Sequence, residues 1–107
     1  MKYSLMIGRF QPFHKGHEAL IQTLLDEGKN VLIACRLSDG SINNPYSYNQ
    51  RYDMIRSIFP NKDRIKIILL PDIEEVVYGR KVGWGIRKIK LSAELESISA
   101  TKIREKL

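Results

Sequence analysis

Histidine and cysteine are scarce in this chain of 107 residues, which has two histidines and one cysteine. A single cysteine excludes an internal disulfide, and Cys35 lies in an apolar run, where a buried small hydrophobe is more common than a nucleophile. The residues beside the histidines contain no H-E-x-x-H pattern and no carboxylate cluster, which disfavours a zinc site. We therefore expect no metal held by the protein's own side chains.

Long apolar runs, repeats and low-complexity tracts are also missing. No apolar run approaches the length that spans a bilayer, and the first predicted strand begins too close to Met1 to leave room for a signal peptide. These features predict a cytoplasmic protein with no membrane partner. A composition of 43% hydrophobic and 28% charged residues indicates one globular domain over residues 1–107.

Basic residues exceed acidic ones by 18 to 12, a net charge of +6 that attracts polyanions. Charge alone leaves nucleotides, nucleic acid and an anionic membrane surface open as partners. The basic residues are scattered apart from Arg87, Lys88 and Lys90, and no basic run is interleaved with aromatics. A solvated surface accounts for such a distribution, so nucleic acid is not the expected partner.

The stretch GRFQPFHKGH, residues 8–17, lies between a predicted buried central strand at 3–7 and a predicted helix at 14–27. A strand that leads through a glycine-bearing loop into a helix presents backbone N–H groups and a positive dipole end, which favour an anion. His14 and His17 are three residues apart and can donate to phosphoryl oxygens from one face, and Gly16 leaves room for a phosphate. This predicts phosphoryl or nucleotidyl transfer; a chance histidine pair on a solvated turn, or a metal site, are the alternatives.

The remaining pattern predicts an α/β fold, a Rossmann-like parallel sheet of about five strands with helices on both faces. Strands are predicted at 31–35, 65–70 and 75–78, with a weaker edge strand at 86–91. A polar loop at 36–45 precedes a helix that begins after Ser47, has a capping box with Gln50, and ends at Pro60. Ligands bind such sheets at the carboxyl ends of the strands, where the first strand delivers residues 8–17.

Two further segments carry candidate binding residues. In ISATKIREKL, residues 98–107, Ser99 can cap a final helix whose first-turn amides, with the hydroxyls of Ser99 and Thr101, make a second anion site beside Arg104. Earlier, Arg80 precedes Trp84, whose indole can stack on a base or pyridine ring; a lid over the core is the alternative for Trp84.

These segments resemble the cytidylyltransferase-like nucleotidyltransferase superfamily, whose signatures are a post-strand glycine followed by H-x-G-H and a closing I-S-x-T-x-x-R/K. The segment GRFQPFHKGH is most similar to the corresponding segment of nicotinamide-mononucleotide adenylyltransferases of archaeal type. The resemblance implies transfer of AMP from ATP to nicotinamide mononucleotide, which releases pyrophosphate and gives NAD. It also implies Mg²⁺ bound through the triphosphate, which needs no carboxylate cage.

The resemblance also implies residue roles. His14, His17 and Arg104 are the predicted catalytic residues. Arg51, in NPYSYNQR, falls at the family's arginine position and, with Trp84, is predicted to bind the acceptor; a solvated helix arginine is the alternative. The predicted nucleotide-binding residues are Gly8, Arg9, Phe10, Gln11, Lys15, Gly16, Gly79, Arg80, Ile98, Ser99 and Thr101.

Two other functions remain open at this stage. SYNQR and ISATKIR also resemble cytidylyltransferases that use CTP to form CDP-alcohols such as CDP-glycerol, although that branch usually has aspartate where this chain has Gln11. The second alternative is a nucleotide-binding or nucleic-acid-binding module of the same fold without turnover. In each case we expect a homo-oligomer, because so small a sheet has exposed edges.

Overall fold

A computed structural model describes residues 2–77, 79, 83 and 85–89 of the chain. The elements in these ranges are three strands and two helices that alternate along the chain. They are β1 (Tyr3–Gly8), α1 (Lys15–Asp26), β2 (Asn30–Arg36), α2 (Tyr48–Ile58) and β3 (Ile65–Leu70). This alternation confirms the predicted α/β class.

The three strands form one parallel sheet in the order β1-β2-β3. Tyr3 pairs with Asn30 and Val31 with Ile65, and both registers continue to the strand ends. Parallel strands require crossover connections, which α1 and α2 provide. The carboxyl ends of all three strands therefore meet at one edge of the sheet, where the loop after β1 begins.

The core lies on one face of the sheet. Alternate residues of β2 contribute to it, while α1 and α2 supply their apolar stripes; its buried members are Phe10, Ile21, Leu24, Val31, Ile33, Cys35, Ile55, Phe59 and Ile65. Both helices contribute to this single cluster, as two right-handed crossovers that run in the same direction require. Helices on the second face, and the fourth and fifth strands, have no counterpart in the described ranges.

The local signals for helix ends are confirmed at α2. The Ser47 side chain accepts from the Gln50 N–H, the Gln50 side chain accepts from the Ser47 N–H, and the helix ends at Ile58, before Pro60. Helix α1 starts one residue later than predicted, because His14 has extended backbone angles and is the N-cap. Neither helix within the described ranges has the length and apolar character to cross a membrane; the cytoplasmic location stays a prediction.

The prediction of a buried central strand at residues 3–7 was wrong within the described ranges. Among the residues that the structure describes, β1 pairs with β2 alone, and Leu5 and Ile7 on one of its faces are 58% and 38% exposed. The apolar run YSLMI is typical of a strand buried on both faces. Here only its alternate residues face the core, as shown by the partly buried Met6 that packs against it.

Two predicted strands, at 75–78 and 86–91, are absent over the part of each that the structure describes. Residues 75–77 of the predicted strand 75–78 lie outside any strand, and Val76 and Val77 are 73% and 77% exposed. Strand preference of valine depends on packing against a half-buried sheet surface, which these two side chains lack. Residues 86–89 of the predicted edge strand likewise form none; Arg87 instead pairs with Glu27 at 2.6 Å, and Ile89 packs against the core.

Candidate active site

His14 and His17 together form the N-terminal cap of α1. The Nδ1 atom of His14 accepts from the Gly16 N–H at 3.1 Å, and Nδ1 of His17 accepts from the His14 N–H at 3.1 Å. The arrangement is a reciprocal capping box made of two imidazoles. The first-turn amide of Gly16 is therefore occupied by His14, and the amide of His14 by His17, so these two amides are not free for an anion as the sequence had suggested.

The same hydrogen bonds decide the tautomer of both rings. A neutral imidazole that accepts at Nδ1 carries its proton on Nε2, where it is a donor. No described residue accepts from either Nε2 atom. The two rings are stacked, with centroids 3.7 Å apart and planes inclined by 18°, so both donors lie side by side, as the three-residue spacing predicted. The pair is suited to two neighbouring oxygens of a phosphate chain.

Aromatic rings hold His17 from two sides. The ring of Phe13 is stacked on it at 5.5 Å, and the ring of Phe10 meets it edge-on at 4.8 Å. Burial, and next to it the neighbouring His14, lowers the pKa of His17 to about 3. Burial also lowers the pKa of His14, against a smaller opposing effect of Glu18. Both histidines are therefore neutral donors at neutral pH, and a chance pair on a solvated turn does not describe them.

Gly8 and Phe10 shape the turn between β1 and α1. A Cβ atom on Gly8 would lie 2.8 Å from two carbons of the Phe10 ring, so the glycine makes room for that ring. Phe10 is 2% exposed and has φ of 50°, in the left-handed region that bulky residues rarely adopt. Gly8 and Phe10, both predicted to bind nucleotide, are thus in close contact with each other. Their packing determines the backbone conformation of the loop and places the Phe10 ring against His17.

Gln11 connects this loop to the loop that follows β2. Its Nε2 donates to the Tyr46 carbonyl at 2.9 Å, and its Oε1 accepts from the Tyr46 N–H at 2.8 Å. The side chain is 1% exposed. A residue predicted to bind nucleotide therefore holds the backbone of the 37–47 loop against the histidine loop.

Arg51 is completely buried, so the alternative of a solvated helix arginine was wrong. Its Nη1 donates to the carbonyls of Arg9 at 3.0 Å and Arg36 at 2.6 Å, and its Nε donates to the Ser47 carbonyl at 3.2 Å. The arginine that was predicted to bind the acceptor thus links the carboxyl ends of β1 and β2 through their backbone carbonyls. Its Nη2 is buried without a hydrogen-bond partner among the described residues.

A cavity of about 370 Å³ opens beside these loops at the carboxyl edge of the sheet. We call it the arginine cavity; it is lined by Arg9, Arg36, Leu37, Ser38, Asp39, Asn44 and Asp72. Of these residues only Arg9 was predicted to be functional. Arg36 and Asp72 were missed, although they follow the apolar parts of β2 and β3, and residues at such strand ends meet at one edge in a parallel sheet.

The other predicted site residues have different outcomes. Lys15 is exposed at the start of α1, and Gly16 is buried beneath the histidines. Gly79 is exposed, and a Cβ atom there would meet nothing within 4 Å. None of the described residues therefore lies so close to position 79 that only glycine would fit. The residues outside the described ranges are Arg80, Trp84, Ile98, Ser99, Thr101 and Arg104.

Carboxylates are sparse around the histidines. Among the residues that the structure describes, no group of three or more histidine, cysteine, aspartate or glutamate side chains is placed to hold a metal ion. The two histidines, Arg9 and Lys15 supply cationic or neutral donors, which suit an anion with its own bound cation. Cys35 is buried, and burial raises the pKa of its thiol to about 11, so it is not a nucleophile.

Comparison with known proteins identifies a family that matches this chain. The family described as cytidylyltransferase-like matches residues 5–74, which include most of β1 and all of α1, β2, α2 and β3. The chain belongs to this family.

Several relatives of this cytidylyltransferase-like chain are named nicotinamide-nucleotide adenylyltransferases. The protein of Thermoplasma acidophilum is 36% identical over 77 residues, 70% of this chain and 42% of its own length. That of Pyrococcus furiosus is 35% identical over 80 residues, 68% of this chain and 43% of its own length. The chain thus spans less than half the length of these curated relatives.

A solved structure gives the same fold. The bifunctional NMN adenylyltransferase/ADP ribose pyrophosphatase of Francisella tularensis, complexed with AMP and a manganese ion, superposes with a TM-score of 0.60. Its sequence is 39% identical, and the match covers 65% of this chain and 22% of that one. The similarity to the archaeal-type adenylyltransferases that the sequence predicted is therefore confirmed, together with the Rossmann-like fold.

Proposed function

We propose that this protein is a nucleotidyltransferase that joins ATP and nicotinamide mononucleotide, giving NAD and pyrophosphate. The observation that carries the proposal is the stacked pair of neutral imidazoles, each with Nδ1 engaged by a backbone amide and Nε2 left as a donor. Support for the adenylyl group and for this acceptor comes from the relatives named nicotinamide-nucleotide adenylyltransferase.

The reaction requires little from a general base. The phosphate of a nucleoside monophosphate is largely ionised near neutral pH, so its oxygen can attack the α-phosphorus of the triphosphate directly. Negative charge then grows on the oxygens between the α and β phosphates as pyrophosphate leaves. The Nε2–H groups of His14 and His17 stabilise this charge, and the positioning of the two substrates supplies the rest.

The cations near the loop have supporting roles. Arg9 precedes the two histidines in the sequence and Lys15 lies between them, and both add positive charge for the phosphates. Arg51 donates to the backbone carbonyl of Arg9 and so holds that residue in place. Ser99, Thr101 and Arg104 are proposed to bind the terminal phosphates. A divalent cation bound to the triphosphate neutralises its charge; the Francisella protein was solved with AMP and manganese, and magnesium is the ion we propose here.

The test is to offer ATP and CTP separately, each with nicotinamide mononucleotide or glycerol 3-phosphate, and to identify products by mass while measuring pyrophosphate. We expect NAD from ATP and nicotinamide mononucleotide as the main product. CDP-glycerol from CTP would instead establish the cytidylyltransferase alternative. Binding of a triphosphate without any pyrophosphate release would identify a non-catalytic module and contradict the proposal.

A further inference from the structure

Arg36 lines the arginine cavity with few of its hydrogen-bond donors engaged by the described residues. It is the last residue of β2, and its Nε is buried without a hydrogen-bond partner among the described residues. Within the described ranges its Nη2 makes one long contact, 3.4 Å, to Oδ1 of Asp72. A guanidinium has five donors in a planar fork, so this single contact leaves most of its hydrogen-bonding capacity unused.

Asp72 is a weak partner for that guanidinium. Its side chain is 79% exposed, and that of Arg36 is 38% exposed. Exposed ion pairs at such a separation contribute little, because water solvates the carboxylate well in any case. The contact is therefore easily exchanged for a stronger anion that enters the cavity.

Arg51 brings further positive charge to the same place. One of its nitrogens donates to the carbonyls of both Arg9 and Arg36, and another is buried with no partner in the part of the chain that the structure describes. None of the ion pairs among the described residues involves Arg51. A buried cation that lacks a counter-ion favours an anion nearby. Arg9 and Arg36 line the cavity, and Arg51 lies behind their backbone. Arg36 and Arg51 each have one buried nitrogen without a partner among the described residues.

We propose that the phosphate of the acceptor binds in the arginine cavity by taking Arg36 away from Asp72, so that Asp72 is a gate that competes with the acceptor for this side chain. The identity of the acceptor as a phosphate monoester rests on the proposed function. A phosphate dianion presents several oxygens to a planar fork and forms paired charge-assisted hydrogen bonds, which an exposed carboxylate at 3.4 Å does not. Arg36 is then a specificity residue for acceptors that carry a phosphate.

The experiment measures the KM for nicotinamide mononucleotide, the KM for ATP, and calorimetric binding of nicotinamide mononucleotide and of its riboside, which lacks the phosphate. Arg36→Gln should raise the KM for the mononucleotide roughly 10- to 100-fold and leave the KM for ATP and riboside binding unchanged. Asp72→Asn should lower the KM for the mononucleotide, by up to about fivefold. In the Arg36→Gln background, Asp72→Asn should have no effect, because no guanidinium is left to release.

The control is Asp63→Asn, which removes the same charge before the amino-terminal end of β3, at the opposite edge of the sheet. If Asp63→Asn lowers the KM for nicotinamide mononucleotide as much as Asp72→Asn does, the effect is one of net charge. That result would overturn the proposal that Asp72 competes with the acceptor for Arg36. Formation of NAD with a KM for the mononucleotide that Arg36→Gln does not change would keep the function and overturn this inference. Absence of NAD, combined with Arg36-dependent preference for the mononucleotide over the riboside, would refute the function and keep the phosphate site.

Discussion

At the scale of single residues, His17 has two roles through its two ring nitrogens. Its Nδ1 accepts from the His14 amide and caps the helix, while its Nε2–H remains for a ligand. The cap fixes the ring plane and the tautomer before any substrate binds. Such preorganisation is what allows a hydrogen-bond donor to stabilise a transition state without rearrangement at the moment of reaction.

The two roles of His17 can be separated by substitution. In His17→Asn the amide oxygen stands where Nδ1 was, so the cap is kept, but no donor reaches the position of Nε2. We expect turnover to fall about 10²- to 10³-fold, with a free energy of unfolding close to that of the wild type. His17→Ala should lose the cap as well, about 0.5 to 2 kcal/mol. Steady-state kinetics and urea unfolding measure both effects; normal turnover in His17→Asn would refute the catalytic role.

The low pKa of His17 predicts how stability depends on pH. Below its ordinary pKa of 6.5 the unfolded chain takes up a proton on this residue, whereas the folded protein stays neutral down to about 3. The free energy of unfolding should therefore fall as pH falls through this window, by up to about 1.4 kcal/mol per pH unit from His17. His14, whose pKa is also lowered, acts in the same direction.

Urea unfolding of the wild type and of His17→Asn, compared between about pH 7 and about pH 4, isolates this contribution. The asparagine variant has no proton to gain, so its stability should decline less steeply while all carboxylates titrate as before. Parallel declines in the two proteins would mean that His17 titrates normally in the folded state.

At the scale of elements, the site depends on contacts between the two loops that leave β1 and β2. Gln11 reaches the Tyr46 backbone with both ends of its amide, and Arg51 holds the carbonyls of Arg9 and Arg36. These side chains supply hydrogen bonds to loop backbone groups that have no helix or strand partner. A buried loop needs such partners for its N–H and C=O groups. The histidine loop and the loop after β2 therefore behave as one unit.

Gln11→Glu tests this coupling. The carboxylate can still accept from the Tyr46 N–H, but it has no donor for the Tyr46 carbonyl, so a buried acceptor loses its donor and a charge is placed in a buried position. We expect a loss of about 1 to 3 kcal/mol and faster amide hydrogen exchange over residues 37–47. Gln50→Glu is the matched control: the Gln50 side chain accepts from the Ser47 N–H, a role that glutamate fills equally well. Equal losses in both variants would contradict the assignment.

At the scale of the whole molecule, the expected homo-oligomer stays a prediction. The face of the sheet opposite the helices has exposed apolar side chains, among them Leu5, Ile7 and Ile68 at 58%, 38% and 39%. Burial of such a surface between copies is favourable by roughly 25 cal/mol per Å². The net charge of +6 opposes association at low salt, so self-association should strengthen as salt is added.

Sedimentation velocity of the wild type, Leu5→Lys and Ile42→Lys tests this expectation. Leu5→Lys places a charge on the apolar face and should weaken association. Ile42→Lys makes the same change at a side chain that is 89% exposed in the loop after β2, and it should leave association unchanged. A monomeric wild type at high protein concentration would show that this face does not join copies of the chain.

Local patterns in the sequence determined the elements and the motif. The apolar runs predicted the three strands, and Ser47 with Gln50 and Pro60 predicted the start and end of α2, because caps and prolines act within a few residues. The same holds for the histidine pair, whose spacing on a helix start already required both rings to share a face. The strands predicted at residues 75–77 and 86–89 do not form. Side chains with a high strand propensity favour a strand only where they pack on a sheet, and these segments do not pair with the described sheet.

Tertiary structure decided which of the motif residues face a ligand and which hold the loops. Gln11 and Tyr46 are 35 positions apart and Arg36 and Asp72 are 36 apart, so no local pattern pairs them. Their contacts exist because parallel strands bring their carboxyl ends to one edge, where side chains from distant loops share a small volume. Burial of Arg51 follows from the same convergence, since a polar side chain becomes internal only when several loops close over it.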